Sequence, residues 1–445
     1  MSTMIFNLPQ DQEQLDERFR SHNKLFDREV LTGVLAIFDE VARSGDEGIR
    51  SATRKFDQVE LDRLELTETC TAACINGLPP SLRSAIGQAI RHVHEVNMEL
   101  RPRSWEKEIR PGTVVGEIVR PLDSVGIWIP ARKGPLLSTA IMLVVAAKAA
   151  GVPTIVVGMP PLKDGAGDPG TVAAAKLAGA DRIVIGNGVS IIAAFAQGTE
   201  SVPEVDGIFG PGPGGIAAAM SAAMMYGKKA ALGLGPTECA IIADGSADPE
   251  RAACDLINEA EHGPDSSAVL VTTSAALARQ IEERLGLRIG EMPEDRRRYL
   301  QQVFGPAGKG AIVVTPTIED ACDCINGFAP EHLMVVGEPQ TEQRVLELVR
   351  HAGEILIGGY TPFSAGNYAI GITAVLPTNR FAKAFSGVTC KDMVKVSTTG
   401  RLTPEALREL APAIREMSGY EQLPGHRKAA DIRLGTEPAD YNGGG

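Results

Sequence analysis

The chain has 445 residues, 44% hydrophobic and 22% charged, too apolar for wholesale disorder and long enough for two to four domains at about 100–200 residues each. Lys and Arg number 44 against 56 Asp and Glu, and the formal net charge of −12 excludes a whole-molecule field attractive to nucleic acid or to an anionic membrane. With aromatics at 4% and 48 glycines, the composition suits close helix–sheet packing better than an aromatic-rich β-sandwich.

No apolar run reaches the roughly 18 residues of a membrane helix, since the longest, 140–151, is interrupted by Lys148. The opening MSTMIFNLPQDQEQLDERF lacks a basic stretch followed by an apolar core, so no secretory leader is read there. The seven cysteines have no framework spacing, which points to reduced thiols and a cytoplasmic location. Cys70/Cys74 and Cys322/Cys324 lack the paired C-x-x-C of a zinc ribbon.

In chain order, apolar positions at three- and four-residue spacing predict helix over 27–56 and 80–105. From residue 113 short apolar runs alternate with Ala-rich stretches. Strands are expected at 124–129, 154–158, 182–185 and 207–209, with helices at 138–150, 170–177, 189–196 and 214–225. A second alternation gives strands at 239–243, 268–271, 311–314, 333–336 and 354–357, with helices at 249–261, 275–285, 318–325 and 342–351. This pattern defines an α/β fold of two adjacent doubly wound, Rossmann-like parallel-sheet domains with helical N- and C-terminal extensions. The expected active site is the cleft at the strand C-terminal ends. Turn-rich sequence follows residue 358, then two terminal helices with Thr403 as N-cap of the first. No internal sequence repeat is visible.

Of the seven histidines, His22, His92, His94 and His351 sit in charged helical sequence and read as surface or packing residues. His262 in AEHGPDS, His332 in APEHL and His426 in LPGH lie at helix ends or turns, where function often resides. Glu259 and His262 are three apart on one helix face, a pairing compatible with Zn²⁺ or with a helix-end salt bridge. Glu331 and His332 offer a carboxylate beside a base poised near neutral pH, or an ordinary solvated turn. The run 210–215, GPGPGG, matches G-x-G-x-x-G between a strand and a helix. It lacks the acidic residue about twenty positions on that a ribose would want. In IPARKGPLLSTA, Arg132 and Lys133 stand at a helix N-terminus, a sound anion site.

Taken together, IWIPARKGPLLSTAIM, FAQGTESVPEVDGIFGPG, GPTECAIIAD, DLINEAEHGPDS, FAPEHL, YTPFSAGNYAIG and EQLPGH resemble the histidinol dehydrogenase family, in order, from about residue 25 to 435. The resemblance implies a homodimeric zinc enzyme that oxidises a small polar primary alcohol through an aldehyde to a carboxylate with two NAD⁺. It implies an N-terminal arm (1–24), a split metal- and substrate-binding domain (25–129 and 237–385), an inserted NAD-binding domain (130–236) and a C-terminal dimerisation segment (386–445) that completes the partner's site. By position, His332 would be the base and Glu331 would activate water. Glu259, His262, Asn367 and His426 would hold Zn²⁺. Thr237 and Glu421 would contact substrate together with His332 and those ligands, and Trp128, Ser190 and Pro213 would contact NAD.

The chain departs from the family pattern at informative places. Glu259 stands where the pattern has Gln and Asn367 where it has Asp, so the summed ligand charge is kept. Ala374 replaces a histidine that helps hold histidinol, and Arg132 and Lys133 are added after the first cofactor strand. Trp128, Ser190 and Pro213 replace Tyr, Gln and Asn. These departures suggest an anionic substrate. The expectation is the sulfopropanediol dehydrogenase branch, converting 2,3-dihydroxypropane-1-sulfonate to 3-sulfolactate. The alternatives are L-histidinol oxidation to L-histidine and a non-catalytic metal- or nucleotide-binding module.

Overall fold

The computed structural model describes residues 5–19, 26–131, 134–212, 214–231 and 233–435. His22, Arg132, Lys133, Pro213 and residues 436–445 lie outside them. The chain divides into two compact units, one running to Arg101 and resuming over Leu122–Met393, the other comprising Pro102–Pro121 and the chain from Val394 onward.

The first unit holds two parallel sheets. In the five-stranded sheet the order is Arg182–Ile185, Thr154–Met159, Ser124–Trp128, Gly207–Phe209, Lys229–Ala230. In the six-stranded sheet it is Ile5–Asn7, Ala311–Val314, Ser267–Thr272, Glu238–Ala243, His332–Val336, Glu354–Ile357. Counted in chain order within each sheet, with Ile5–Asn7 set aside as an added edge strand, both read 3-2-1-4-5. Each sheet thus has the switch point of a doubly wound fold, where the order reverses beside its first strand. The topology repeats where the sequence shows no repeat.

The inner strands are buried nearly end to end because helices cover both faces, which is why they read as continuous apolar runs, while the edge strands Ile5–Asn7, Lys229–Ala230 and Glu354–Ile357 are partly exposed. Helix Leu137–Ala150 is buried on almost every side, and helix Gly188–Gln197 packs Phe195 and Ile191 into the five-stranded sheet. The predicted helix over 27–56 is two helices, Arg28–Ser44 and Asp46–Asp57. Gly45 between them sits at φ +54°, a conformation that ends a helix and favours glycine. Two boundaries differ from expectation. The N-terminal arm, expected to be helical, contributes strand Ile5–Asn7 before helix Gln12–Arg18. Strand Ser124–Trp128, expected in the split domain, is the central strand of the five-stranded sheet.

The second unit is an antiparallel sheet of Trp105–Arg110, Thr113–Pro121 and Val394–Leu402, followed by helices Pro404–Tyr420 and Pro424–Arg433. Thr403 caps the first helix, accepting from the Ala406 amide. Arg415 on this helix donates to Asp431 on the next at 2.6 Å. The unit begins at Val394 rather than 386 and includes the 102–121 hairpin, which sequence alone assigned to the split domain. Met417, Tyr420 and Ile432 are exposed on its helices. Among the described residues, no helix is long and apolar enough to cross a membrane.

Candidate functional site

A cleft of about 1030 Å³ opens within the first unit between the two sheets. One wall is the C-terminal edge of the five-stranded sheet, with Trp128 at the end of its central strand and Pro160, Gly188 and Gly212 just past its neighbours. The opposite wall is the N-terminal edge of the six-stranded sheet, where Thr237, Ser266, Glu331 and His332 precede or begin strands. The expectation of strand C-terminal ends therefore holds for the first sheet and fails for the second.

The reversal polarises the cleft. Helices Gly188–Gln197 and Gly214–Ala223 begin at the first wall, and helix N-termini favour anions. Helix Pro249–Ala260 ends at the second wall with Glu259 in its last turn, and helix Ile318–Phe328 ends three residues before Glu331. Helix C-termini favour cations. The side chains agree: the described cleft lining carries Glu259, Glu261, Asp265 and Glu331 against Arg296 alone among Lys and Arg.

At the cation-favouring wall Glu259 is 1% exposed and organises its neighbours. Its Oε1 accepts from Asn367 Nδ2 at 2.7 Å and from Asn258 Nδ2 at 2.8 Å. Its Oε2 lies 3.5 Å from His262 Nε2 and 3.9 Å from His332 Nε2. The two positions whose charges are exchanged relative to the family pattern, 259 and 367, are thus hydrogen-bonded to each other. The exchange moves a negative charge across one hydrogen bond and leaves the local field nearly as it was. Asn367 holds this place from the last turn of helix Phe363–Tyr368.

His332 is 2% exposed. Its Nε2 lies 3.6 Å from Glu331 Oε1, and its Nδ1 makes a short hydrogen bond to Glu354. Burial opposes charge on this imidazole, but the Glu259, Glu331 and Glu354 carboxylates outweigh it and raise its pKa to about 10. Glu331 accepts from the Glu238 amide at 3.0 Å through Oε2. Burial pushes Glu331 up to about 8, against the pull of His332. Burial likewise lifts Asp255, one turn before Glu259, to about 7.

The donor chemistry suits a divalent cation: a buried carboxylate, an imidazole and an amide meet at a wall short of positive charge. Among the described residues the chain by itself forms no group of three or more His, Cys, Asp or Glu side chains able to hold a metal ion. Glu421 and His426 are exposed residues of the second unit.

At the other wall, Trp128 is 3% exposed, lines the cleft and has a buried Nε1 without a hydrogen-bond partner. Ser190 lies behind this wall. It is fully buried away from the lining, and its hydroxyl donates to the Asn187 carbonyl at 2.9 Å. The glycine run has a packing role. Gly210 sits at φ +148°, and a Cβ there would fall 2.1 Å from the Trp128 carbonyl oxygen. Ala374 lines the cleft. Glu354 and Glu238 escaped the sequence reading; the available signal was an acidic first residue on an otherwise apolar strand.

A switch-point crevice facing a buried imidazole–carboxylate cluster fits a dehydrogenase. The histidinol dehydrogenase family profile matches residues 20–434. A histidinol dehydrogenase of Synechocystis sp. is 36% identical over 94% of this chain and 95% of its own length, and one of Methanothermobacter thermautotrophicus is 35% identical over 91% and 94%. The crystal structure of histidinol dehydrogenase from Elizabethkingia anophelis superposes with a TM-score of 0.90 at 29% identity, covering 98% of each chain. The chain belongs to the histidinol dehydrogenase family.

These relatives correct the sulfopropanediol expectation. Proteins 33–36% identical over most of the chain are named histidinol dehydrogenase. The cleft gives a physical reason: a sulfonate would enter beside four carboxylates and two helix C-termini. The added Arg132 and Lys133, which suggested an anion, lie outside the described residues.

The buried Glu331 carboxyl yields a pH prediction. The folded chain holds its proton more tightly than an unfolded glutamate titrating near 4.5, so stability falls as pH rises from about 4.5 through about 8. In chelator-treated protein, wild type is expected to lose stability relative to Glu331→Gln across that window, read from urea midpoints. Wild-type stability that stays constant or rises relative to Glu331→Gln across that window contradicts it.

Proposed function

We propose that the chain oxidises L-histidinol to L-histidine, with His332 as general base and Glu331 assisting attack of water on the intermediate aldehyde. The observation that carries this reading is the buried His332 Nε2 facing Glu331 and Glu259 at the cation-favouring wall. A cationic amino alcohol suits the carboxylates there, and the family relatives support the same substrate.

Two NAD⁺ molecules, bound one after the other, would each accept one hydride, and Zn²⁺ held by Glu259, His262, Asn367 and a further histidine would polarise the substrate hydroxyl. With Zn²⁺ and a cationic substrate offsetting the carboxylates that raise its pKa, His332 would be neutral and take the hydroxyl proton on Nε2. Glu331, kept from bulk water and held by the Glu238 amide, can store or release a proton near neutral pH. Thr237 borders the substrate end of the cleft, while Trp128 borders the cofactor end.

The further histidine is proposed to be His426 of the partner subunit in a homodimer, with Glu421 arriving alongside. The exposed Met417, Tyr420 and Ile432 support a second copy packing on this unit. The seven free thiols support a reducing, cytoplasmic setting.

Purified protein supplied with L-histidinol and NAD⁺ is expected to release two NADH per histidinol and yield histidine, with loss on chelation and recovery on adding zinc. Absence of histidine, or a single NADH, contradicts the reading. For the dimer, His332→Ala and His426→Ala are each expected to be inactive. Subunit exchange between them should restore roughly a quarter of wild-type activity, because heterodimers carry one intact shared site. No recovery after verified exchange contradicts completion across the interface.

A further inference from the structure

The proposed base has two ring nitrogens, and the chemistry above uses only Nε2. Nδ1 meets Glu354 in a short hydrogen bond set by the sheet itself. In the parallel pairing of His332–Val336 with Glu354–Ile357, His332 and Glu354 are register partners, each the first residue of its strand. Their side chains therefore rise from the same sheet face.

Glu354 is an unusual choice for this position. Its side chain is 6% exposed, and Oε2 is buried with no hydrogen-bond partner. Helix Phe363–Tyr368 closes over it so tightly that a Cβ at Gly366 would stand 3.3 Å from both carboxylate oxygens. A buried carboxylate is costly unless its partner repays the lost hydration, and an apolar residue would fill a strand start more cheaply. The ion-pair partner here is the imidazole. The Phe363 ring lies edge-on to that imidazole, with centroids 5.9 Å apart, and restricts its rotation.

We infer that Glu354 is the positioning residue for His332: it accepts the Nδ1–H and so holds the imidazole in the tautomer whose Nε2 lone pair faces the cleft. The inference rests on the assignment of His332 as base. An imidazole carrying its proton on Nε2 would present a donor to the substrate hydroxyl and could not take its proton. With Nδ1–H fixed, the hydroxyl proton passes to Nε2 and the ring becomes imidazolium. The Glu354 carboxylate balances that charge without itself being protonated. Glu354 touches neither substrate nor cofactor in this account.

The test uses the zinc-loaded full chain with ¹⁵N-labelled histidine, His332 being assigned by the signals lost in His332→Gln. Wild type is expected to show an Nδ1–H proton well downfield of the backbone amides together with an unprotonated Nε2, the proton signal being absent in Glu354→Ala and present in Glu354→Gln, whose amide oxygen still accepts. With L-histidinol, Glu354→Ala should lose roughly 10- to 100-fold in kcat with KM changed less than about threefold, and Glu354→Gln should recover most of the loss. A bare, unprotonated Nδ1 in wild type, equal deficits in the two variants, or a loss carried by KM alone overturns the inference. If Glu354→Ala does not fold, the wild-type spectrum and Glu354→Gln still decide. The spectrum needs no substrate, so failure to oxidise histidinol would count against the proposed function and not against this pairing.

Discussion

The site depends on two parallel sheets meeting one cleft with opposite edges. A doubly wound sheet presents helix N-termini past its strand C-terminal ends and helix C-termini at its other edge. Here the five-stranded sheet turns the first edge inward and the six-stranded sheet turns the second. Both have the order 3-2-1-4-5, yet only the first uses its switch point for this cleft. The result is one wall suited to a dinucleotide's phosphates and another suited to positive charge. The side chains on the second wall reinforce what the backbone dipoles begin.

That reinforcement is expensive without a counter-charge. Glu238, Glu259, Glu331 and Glu354 are all under 10% exposed and lie in one cluster around His332. The effective penalty for a buried unpaired ion is several kcal/mol. Part is offset inside the chain: Asn258 and Asn367 donate to Glu259, the Glu238 amide to Glu331, and the His332 imidazole to Glu354. A dication and a cationic substrate would offset the rest. The Glu259–Asn367 pair also explains how the chain departs from the family pattern without losing the site, because the displaced charge stays within one hydrogen bond of its usual place.

Much of the fold was legible because parallel strands under helices are continuous apolar runs. Strands at 182–185, 207–209, 311–314 and 354–357 have the expected bounds. What escaped lacked that signal. Trp105–Arg110 is exposed at every position, so burial imposes no alternation on it. Ile5–Asn7 has three residues, too few to show a period, and becomes a strand only by pairing with Ala311–Val314. In the site, Glu331, His332, Glu259, His262 and Asn367 were nameable from local motifs and resemblance, and the first unit gathers them. Ser190 lies buried with its hydroxyl on the Asn187 carbonyl, a placement that its position in the family pattern does not encode. Glu354 was missed because its role comes from register with a residue 22 positions earlier, which no local motif encodes. The polarity of the second wall was equally invisible, since strand spacing is the same whichever edge faces the cleft.

The polarised cleft is tested most directly by anomalous diffraction from crystals grown with zinc and NAD⁺. The account predicts a zinc peak within about 2.0–2.2 Å of Glu259 and His262 donor atoms. It also predicts the dinucleotide's pyrophosphate along the C-terminal edge of the five-stranded sheet, near Gly188 and Gly212. A metal bound away from Glu259, or phosphates seated on the Glu331–His332 wall, would contradict it.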